Sequence, residues 1–269
     1  MRTRLARHVV VDTVDLDELI EAYAKIYAEP KVRIGGALHA VGTQREVGSL
    51  RIGFGHYHAA TDWQFPNAEC FLYLLPIAGA GTVVTRGREC EVGVGRSITM
   101  SPAAGFRARY DAAFAALTLK PGNAALVSAL ESMTGAAVDT PLIFEPQTER
   151  RAGSALEAYL RALVATLERA DATPLPAWWT AQTAHMISVL LLTEQRHNYS
   201  RLFERRPPEP SREEVRYAEE FIAANLDRGF TAEDLARTSG VSVLSLYRAF
   251  RKIHGCSPLE FAARLRAGR

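Results

Sequence analysis

The stretch Thr231-Ala-Glu-Asp-Leu-Ala-Arg-Thr-Ser-Gly-Val-Ser-Val-Leu-Ser-Leu-Tyr-Arg-Ala-Phe250 carries the strongest structural signal in the sequence. Thr231 and Asp234 have the residue types and the spacing of a helix N-cap. Gly240 supplies the left-handed residue that ends this first helix, and Ser242 can cap a second helix. Two short helices joined by a turn that contains glycine form a helix-turn-helix.

The second helix of this motif is expected to run to about His254 and to have two different faces. Leu246 and Phe250 are predicted to point into a small core, which leaves Arg248 in the middle of the opposite face. Because arginine can donate two hydrogen bonds to a guanine in the major groove, Arg248 is predicted to contact a base, whereas Arg251 suits a phosphate. The residues predicted to contact DNA are Ser242, Leu244, Ser245, Tyr247, Arg248, Arg251 and Lys252.

The distribution of charge favours DNA binding over the alternative, a structural helical subdomain whose arginines are only solvated. The formal net charge of the whole chain is +2. Residues 235–269 contain seven basic side chains and one acidic side chain, whereas residues 1–210 are neutral overall. A neutral body with a concentrated basic end indicates an anionic partner at that end.

The part of the chain before residue 121 has the pattern of β structure. Short segments separated by Gly, Pro and Asn predict antiparallel strands of a sandwich or a small barrel. The Arg86-Gly87-Arg88 stretch predicts a tight hairpin turn. The predicted strands include Leu50–His58, Cys70–Leu75, Thr82–Thr85, Glu89–Val94, Ser97–Met100 and Phe114–Leu119.

Helices are predicted between residue 121 and a charged, proline-rich segment at 204–210. One is capped by Asn123 and ends at Gly135; another begins at a capping box of Ser154 and Glu157. The segment 204–210 is predicted to be a stiff linker. The sequence therefore predicts a first domain at 1–203, the linker at 204–210, and a helix-turn-helix domain at 211–269. The apolar residues at helical spacing, Leu156, Leu160, Leu163, Val164 and Leu167 with Ile187–Leu191, are predicted to form a homodimer interface.

The composition excludes several classes of protein. Hydrophobic residues make up 48% of the chain, which is ordinary for a globular protein and excludes disorder of the whole chain. The longest apolar stretches are too short to cross a bilayer, and the apolar part of the N-terminus stops at Asp12, too early for a signal peptide. We therefore expect a cytoplasmic location. The three cysteines, Cys70, Cys90 and Cys256, lack the spacing of a zinc site or a disulfide framework.

Several motifs together resemble a known family. The C-terminal residues resemble the signature of AraC/XylS-type transcription regulators in Leu235-Ala236, Gly240-Val241-Ser242, Leu246-x-Arg248-x-Phe250 and Gly255-Cys-Ser257-Pro258-x-x-Phe261. The N-terminal part is similar to the cupin-like ligand-sensing domain of one AraC subgroup in Asp15-Leu-Asp-Glu18, in the barrel pattern and in Leu190-Leu-Leu-Thr-Glu-Gln-Arg-His197. In the family, a linker helix leads to a second helix-turn-helix. The sequence ends at Arg269, within that linker helix, which leaves two alternatives open: the chain is truncated, or it binds DNA with one motif per subunit.

The resemblance implies both a fold and a function. The fold is α+β, with an N-terminal cupin-like antiparallel β-barrel, a helical dimerisation segment, and a C-terminal all-α helix-turn-helix domain. The function is sequence-specific binding of double-stranded operator DNA under the control of a small organic effector. The implied partner is a second copy of the chain, and RNA polymerase is a further candidate. Neither a cofactor nor a membrane partner is expected.

The remaining candidate residues lie in the predicted barrel. His56 and His58 are two residues apart on a predicted strand, so they are expected to share a face. A metal-binding cupin adds a later Glu and His, and the corresponding stretch here offers no ligand, so we expect no metal. Instead, His56, His58, Trp63 and Tyr73 are candidates for an effector pocket. Two alternatives remain open, a cupin-type enzyme and a shortened regulator subunit that antagonises full-length regulators by dimerisation.

Overall fold

The computed structural model describes residues 3–27, 29–66, 69–146, 154–170, 174–204, 211–227 and 229–267, and divides the chain into two compact units. The barrel unit comprises Met1–Leu126 and Leu142–Asn198, and the helical unit comprises Val127–Pro141 and Tyr199–Arg269. This division differs from the predicted domains because the helical unit begins at Tyr199 and includes an earlier segment of the chain. Most of the predicted linker, 205–210, lies outside the described residues.

The barrel unit is built from two antiparallel sheets. One has the strand order β1-β3-β4-β11-β6-β9 and the other has the order β2-β5-β10-β7-β8. Arg86 and Gly87 have φ angles of 51° and 72°, which gives the two-residue hairpin turn between β7 and β8 that the sequence predicts. The described strands are β1 (Val9–Thr13), β2 (Lys31–Gly35), β3 (Ala40–Val47), β4 (Leu50–His56), β5 (Ala60–Phe65), β6 (Leu72–Ala78), β7 (Ala80–Thr85), β8 (Arg88–Gly93), β9 (Ile98–Met100), β10 (Phe106–Tyr110) and β11 (Ala115–Pro121).

Helices make up most of the rest of the described chain. They are α1 (Leu16–Ile26), α2 (Asn123–Thr134), α3 (Ala155–Arg169), α4 (Ala177–Glu194), α5 (Ser200–Glu204), α6 (Arg212–Ala224), α7 (Ala232–Ser239), α8 (Val243–His254) and α9 (Pro258–Ala267). None of these helices combines the length and the apolar character that a membrane span needs. Two antiparallel sheets followed by C-terminal helices confirm the predicted α+β class.

Helices α3 and α4 pack against each other within the barrel unit, and α4 also contacts β3 and β11. The apolar stripe of α3 is buried there, with Leu156 and Leu160 both 0% exposed. Ile187 and Leu191 of α4 are equally buried. The stripe that the sequence assigns to a dimer interface is therefore core of the unit, because the sheet and the two helices bury it first.

The start of α3 differs in one detail from the predicted capping box. Ser154 Oγ accepts a hydrogen bond from the Glu157 N–H at 3.1 Å, as expected, and Glu194 at the end of α4 is a second acceptor at this helix start. Glu194 accepts from Ser154 Oγ at 2.7 Å and from the N–H of Ala155 at 2.8 Å. A carboxylate from another helix thus satisfies the free N–H groups at this helix end.

The buried stripe of α3 makes a prediction about stability. Replacing Leu160 with Ala should lower the free energy of unfolding by about 2–5 kcal/mol, because it leaves a cavity in a closed core. The matched control, Met186→Ala on the exposed side of α4, should change it by less than about 0.5 kcal/mol. Chemical unfolding of the full chain measures both. Equal effects of the two substitutions would contradict the assignment of Leu160 to the core.

Candidate ligand cavity and nucleic-acid interface

A cavity lies inside the barrel unit, between strands of both sheets and α1. Its volume is about 60 Å³. Since one water needs roughly 10–15 Å³, the cavity has room for several waters or a small molecule. Of the twenty described residues that line it, nine are aromatic and none carries a formal charge.

The alternation of side chains along the strands produces this lining. In β10, Phe106, Ala108 and Tyr110 line the cavity, whereas Arg107 between them is exposed and pairs with Asp62 on the outer surface. Successive residues of a strand point to opposite faces, so the strand supplies aromatic rings inside and charges outside.

Helix α1 covers the cavity and is fixed at both ends. Asp15 caps its start by accepting hydrogen bonds from two backbone N–H groups. At its other end, the buried ammonium of Lys120 on β11 donates to the carbonyl of Ile26 and lies 4.5 Å from the centre of the Tyr27 ring. A cation at a helix C-terminus is favourable. Tyr23 of this helix and Tyr27, which follows its last residue, are thereby held in the cavity wall.

Several lining residues have polar side chains, and two of their hydrogen-bond donors are incompletely paired. The hydroxyls of Tyr23 and Tyr57 lie 2.7 Å apart and share one hydrogen bond. The indole N–H of Trp63, a residue only 1% exposed, has no acceptor among the described residues. Burial raises the pKa of Tyr23 to about 12 and that of Tyr57 well above its ordinary value. Both phenols therefore stay protonated at neutral pH.

The four residues predicted to line an effector pocket separate into two groups. Trp63 lines the cavity. The other three residues are not among its lining residues. His56 is buried, and its Nδ1 lies 2.8 Å from the carbonyl oxygen of Phe114. His58 is exposed, and the Tyr73 hydroxyl forms a hydrogen bond with Ser97. Sequence reasoning missed Tyr23 and Tyr57, because neither lies in a motif and the residues that bring them together are far apart in sequence.

The histidine pair has a different geometry from the predicted one. Strand β4 ends at His56, and His58 follows in a left-handed conformation with φ 53°. The two rings are nevertheless close, with centroids 3.8 Å apart, and the His58 ring stacks on His39. Within the described chain, no three His, Cys, Asp or Glu side chains are grouped as a metal site would require. The expectation that the barrel holds no metal remains a prediction.

The helical unit contains the predicted helix-turn-helix. Thr231 and Asp234 form a reciprocal capping box at the start of α7, and Gly240 ends that helix with φ 69°. Ser242 caps α8, and Gly255 ends it with φ 68°. Together with α6 and α9, the two helices enclose one apolar core. Its buried members are Val215, Ala218, Ile222, Leu226, Leu235, Ala236, Val241, Leu246, Ala249, Phe250 and Ala262.

Helix α8 exposes part of the predicted DNA-contacting set. Arg248, Arg251 and Lys252 are exposed and Tyr247 is half-buried, and Arg248 makes no hydrogen bond or ion pair with any described residue. Ser242 and Ser245 are instead 4% and 3% exposed. Their hydroxyls hydrogen-bond each other at 3.0 Å. The side chain of Leu244 lies outside the described residues.

A segment from earlier in the chain lies beside the N-terminal end of α8. Gly135, which ends α2 with φ 69°, packs so closely there that a Cβ atom would lie 3.2 Å from the backbone nitrogen of Ser242. Gly135 therefore packs against the N-cap residue of α8, whereas Tyr247 and Arg248 lie more than one turn further along the helix.

Comparison with known proteins identifies the barrel unit. The model of the AraC-binding-like domain family matches residues 21–192, well over half of the chain. The chain belongs to the family of AraC-like transcription regulators. A lactose operon transcription activator of Staphylococcus xylosus is 35% identical to this chain over 54 residues, which cover 20% of this chain. That match spans 19%, about a fifth, of the length of the curated relative.

Solved structures that are similar to this chain have low sequence identity to it. The AraC-like transcriptional activator CuxR is 18% identical, with a TM-score of 0.47 over 88% of this chain and 85% of that chain. Salicylate 1,2-dioxygenase from Pseudoaminobacter salicylatoxidans is 16% identical, with a TM-score of 0.29 over 30% of this chain and 25% of that chain. Neither TM-score reaches 0.5, so neither likeness bears on function.

The turn of the helix-turn-helix gives a prediction that isolates backbone conformation. A Cβ atom at Gly240 would meet no atom within 4 Å, so only its φ of 69° opposes substitution. Gly240→Ala should therefore lower the free energy of unfolding by about 1–2 kcal/mol. Gly240→Asn should lower the free energy of unfolding by less, because asparagine tolerates the left-handed region. Thermal unfolding of the full chain followed by helical circular dichroism measures both; Ala and Asn variants of equal stability would contradict this explanation.

Proposed function

We propose that this chain is a transcription regulator that binds operator DNA through α8 and responds to a small organic effector held in the barrel cavity. The observation that carries the proposal is the capped helix-turn-helix, with Arg248 exposed and unpaired among the described residues. Family membership supplies the second support, because residues 21–192 match the AraC-binding-like domain. That this chain catalyses no reaction remains a prediction.

The accessible face of α8 suits the major groove. A helix of 12 residues is about 18 Å long, and the groove of B-DNA is wide enough to admit an α-helix. Because Gly135 lies against Ser242, the proposed base contact falls at Arg248 in the middle of the helix. Arg251 and Lys252, nearer its C-terminal end, are proposed to contact phosphates.

The effector would act by changing a population of conformations. A ligand shifts a conformational equilibrium only by the difference in its affinity for the two states. The cavity is proposed as the effector site because it is concave and mostly aromatic or apolar with a few polar groups, as ligand sites of small molecules are. Ligand binding there would therefore favour the state in which α1 and the strands close around it.

A homodimer remains part of the proposal, although not through the α3 stripe. On α4, Trp178 is 69% exposed and Met186 is 45% exposed. Exposed large apolar side chains on one element are typical of an interaction surface. A second copy of the chain, bound through this part of α4, would present two copies of α8 to two half-sites. Contact with RNA polymerase stays an expectation.

Selection of bound duplexes from a random pool tests DNA recognition directly. The full chain should enrich one sequence motif and bind it more tightly than random DNA, since α8 offers an unpaired arginine to base edges. Binding without enrichment would contradict sequence-specific regulation. Absence of binding at low salt would contradict the proposal as a whole and favour the antagonist subunit. The stoichiometry on the enriched duplex reports whether two copies bind.

The exposed arginines of α8 should differ in what they contribute. Arg248→Ala should reduce the preference for the enriched duplex over random DNA by about 5- to 150-fold, because a bidentate arginine–guanine contact discriminates by about 1–3 kcal/mol. Arg251→Ala should weaken both complexes equally and flatten the dependence of log affinity on log salt by about one unit.

The matched control for these variants is Arg216→Ala on α6. Arg216 is also exposed but pairs with Glu220 of its own helix at 2.9 Å. Titrations of all three variants on both duplexes at several salt concentrations measure the effects. If Arg216→Ala changed sequence preference as much as Arg248→Ala, the proposed docking of α8 would be wrong.

A further inference from the structure

We propose that the barrel cavity takes a neutral, flat molecule of about one ring that carries a hydrogen-bond acceptor such as a ketone or amide carbonyl, and that it rejects anions and cations. This inference rests on the proposed function in one respect, that the cavity is the effector site. The lining fixes the class of molecule through three properties, which are its unused hydrogen-bond donors, its lack of charge, and its shape.

Two hydrogen-bond donors of the cavity wall have no acceptor among the described residues. Tyr23 and Tyr57 contribute two phenolic protons but share one hydrogen bond, so one O–H of the pair lacks an acceptor among the described residues. The indole N–H of Trp63 likewise has none. The Trp63 ring centre lies 4.9 Å from that of Tyr23 and 5.2 Å from that of Tyr57.

These unused donors indicate what a ligand supplies. A buried donor without a partner is unfavourable, and such groups in a native structure are few. A carbonyl oxygen has two lone pairs, so it can accept the one unused phenolic proton. A second bond from the Trp63 indole requires that ring to shift, because its nitrogen is covered by neighbouring atoms. A molecule without an acceptor would leave both donors unsatisfied.

The absence of charge in the described lining excludes ionic ligands. An ion transferred into an apolar site without a partner loses a large hydration free energy, and the twenty lining residues contain no side chain of opposite sign for either kind of ion. Lys120 lies near Tyr27, but it is not among the lining residues and its ammonium already donates to Ile26. Burial raises the pKa of Tyr23 and Tyr57, so the phenols remain donors rather than anions.

The stacked aromatic rings of the cavity wall favour a flat ligand. Rings of the wall stack at Trp63–Phe65 (5.7 Å) and Phe65–Phe106 (4.6 Å), and aromatic ligands gain from offset or edge contacts with such rings. A Cβ atom at Gly55 would stand 3.4 Å from the Tyr23 hydroxyl and 3.7 Å from the Tyr57 hydroxyl. The missing side chain at Gly55 thus leaves open the space in front of the two phenols.

Four single-ring probes of similar size separate the alternatives. They are acetophenone, which is neutral with an acceptor, ethylbenzene, which is neutral without one, benzoate and benzylammonium. Ligand-detected NMR titration of the full chain at neutral pH should show acetophenone binding at least about tenfold more tightly than either ion, and about fivefold more tightly than ethylbenzene, as expected for one or two hydrogen bonds. Tighter binding of an ion, or binding of none of the probes at millimolar concentration, would overturn the inference.

Variants with matched controls test the residues. Trp63→Phe should weaken acetophenone by up to about tenfold while changing ethylbenzene little, whereas Tyr73→Phe, a buried tyrosine outside the lining, should change neither. Gly55→Ala should weaken both neutral probes. Its control is Gly93→Ala, also a strand glycine, where a Cβ atom would stand 3.4 Å from the Gly79 oxygen. Unchanged affinity in Gly55→Ala would place the probes elsewhere and contradict the inference.

These outcomes are distinct from failure of the proposed function. Probe binding is measured on the protein without DNA, and motif selection is measured without probe. If the chain enriched a DNA motif but bound benzoate more tightly than acetophenone, the proposed function would be supported and the proposed ligand class would be contradicted. If the chain bound acetophenone as expected but bound no DNA, the proposed ligand class would be supported and the proposed regulatory function would be contradicted.

Discussion

The hydrogen bond between the hydroxyls of Tyr23 and Tyr57 is the contact on which the barrel interior depends. It joins α1 to the chain just after β4 at a distance of 2.7 Å, out of reach of bulk water. Removing either hydroxyl would strand the other in an apolar wall, where an unpaired polar group is destabilising by about 1–3 kcal/mol. Because α1 covers the cavity, the same bond also fixes how far the barrel is closed.

A series of stacked aromatic rings connects Tyr23 to the strands of the cavity wall. Tyr23 stacks on Trp63 at 4.9 Å, Trp63 on Phe65 at 5.7 Å, and Phe65 on Phe106 at 4.6 Å. Packed rings of this kind have few alternative positions, since protein interiors are as dense as organic crystals. Movement of α1 on ligand binding would therefore displace several strands together.

The two candidate sites have opposite electrostatic character. The cavity is neutral among its described residues, whereas α8 exposes Arg248, Arg251 and Lys252. A neutral effector adds no charge to the protein, so it cannot change DNA affinity through long-range electrostatics. Its effect on DNA binding would have to come from a shift between conformations.

Local sequence determined the helix-turn-helix, and tertiary structure decided the cavity. Thr231, Asp234, Gly240 and Ser242 were interpretable by themselves because caps and left-handed turns depend on residues within four positions of each other. The same local reasoning failed where a distant group intervened: Glu194 completes the cap of α3, and packing within the barrel unit buries the stripe that suggested a dimer. The cavity could not be predicted, because Tyr23 meets Tyr57 and Trp63 only when α1 packs over the barrel, a long-range contact that the order of residues along the chain does not specify.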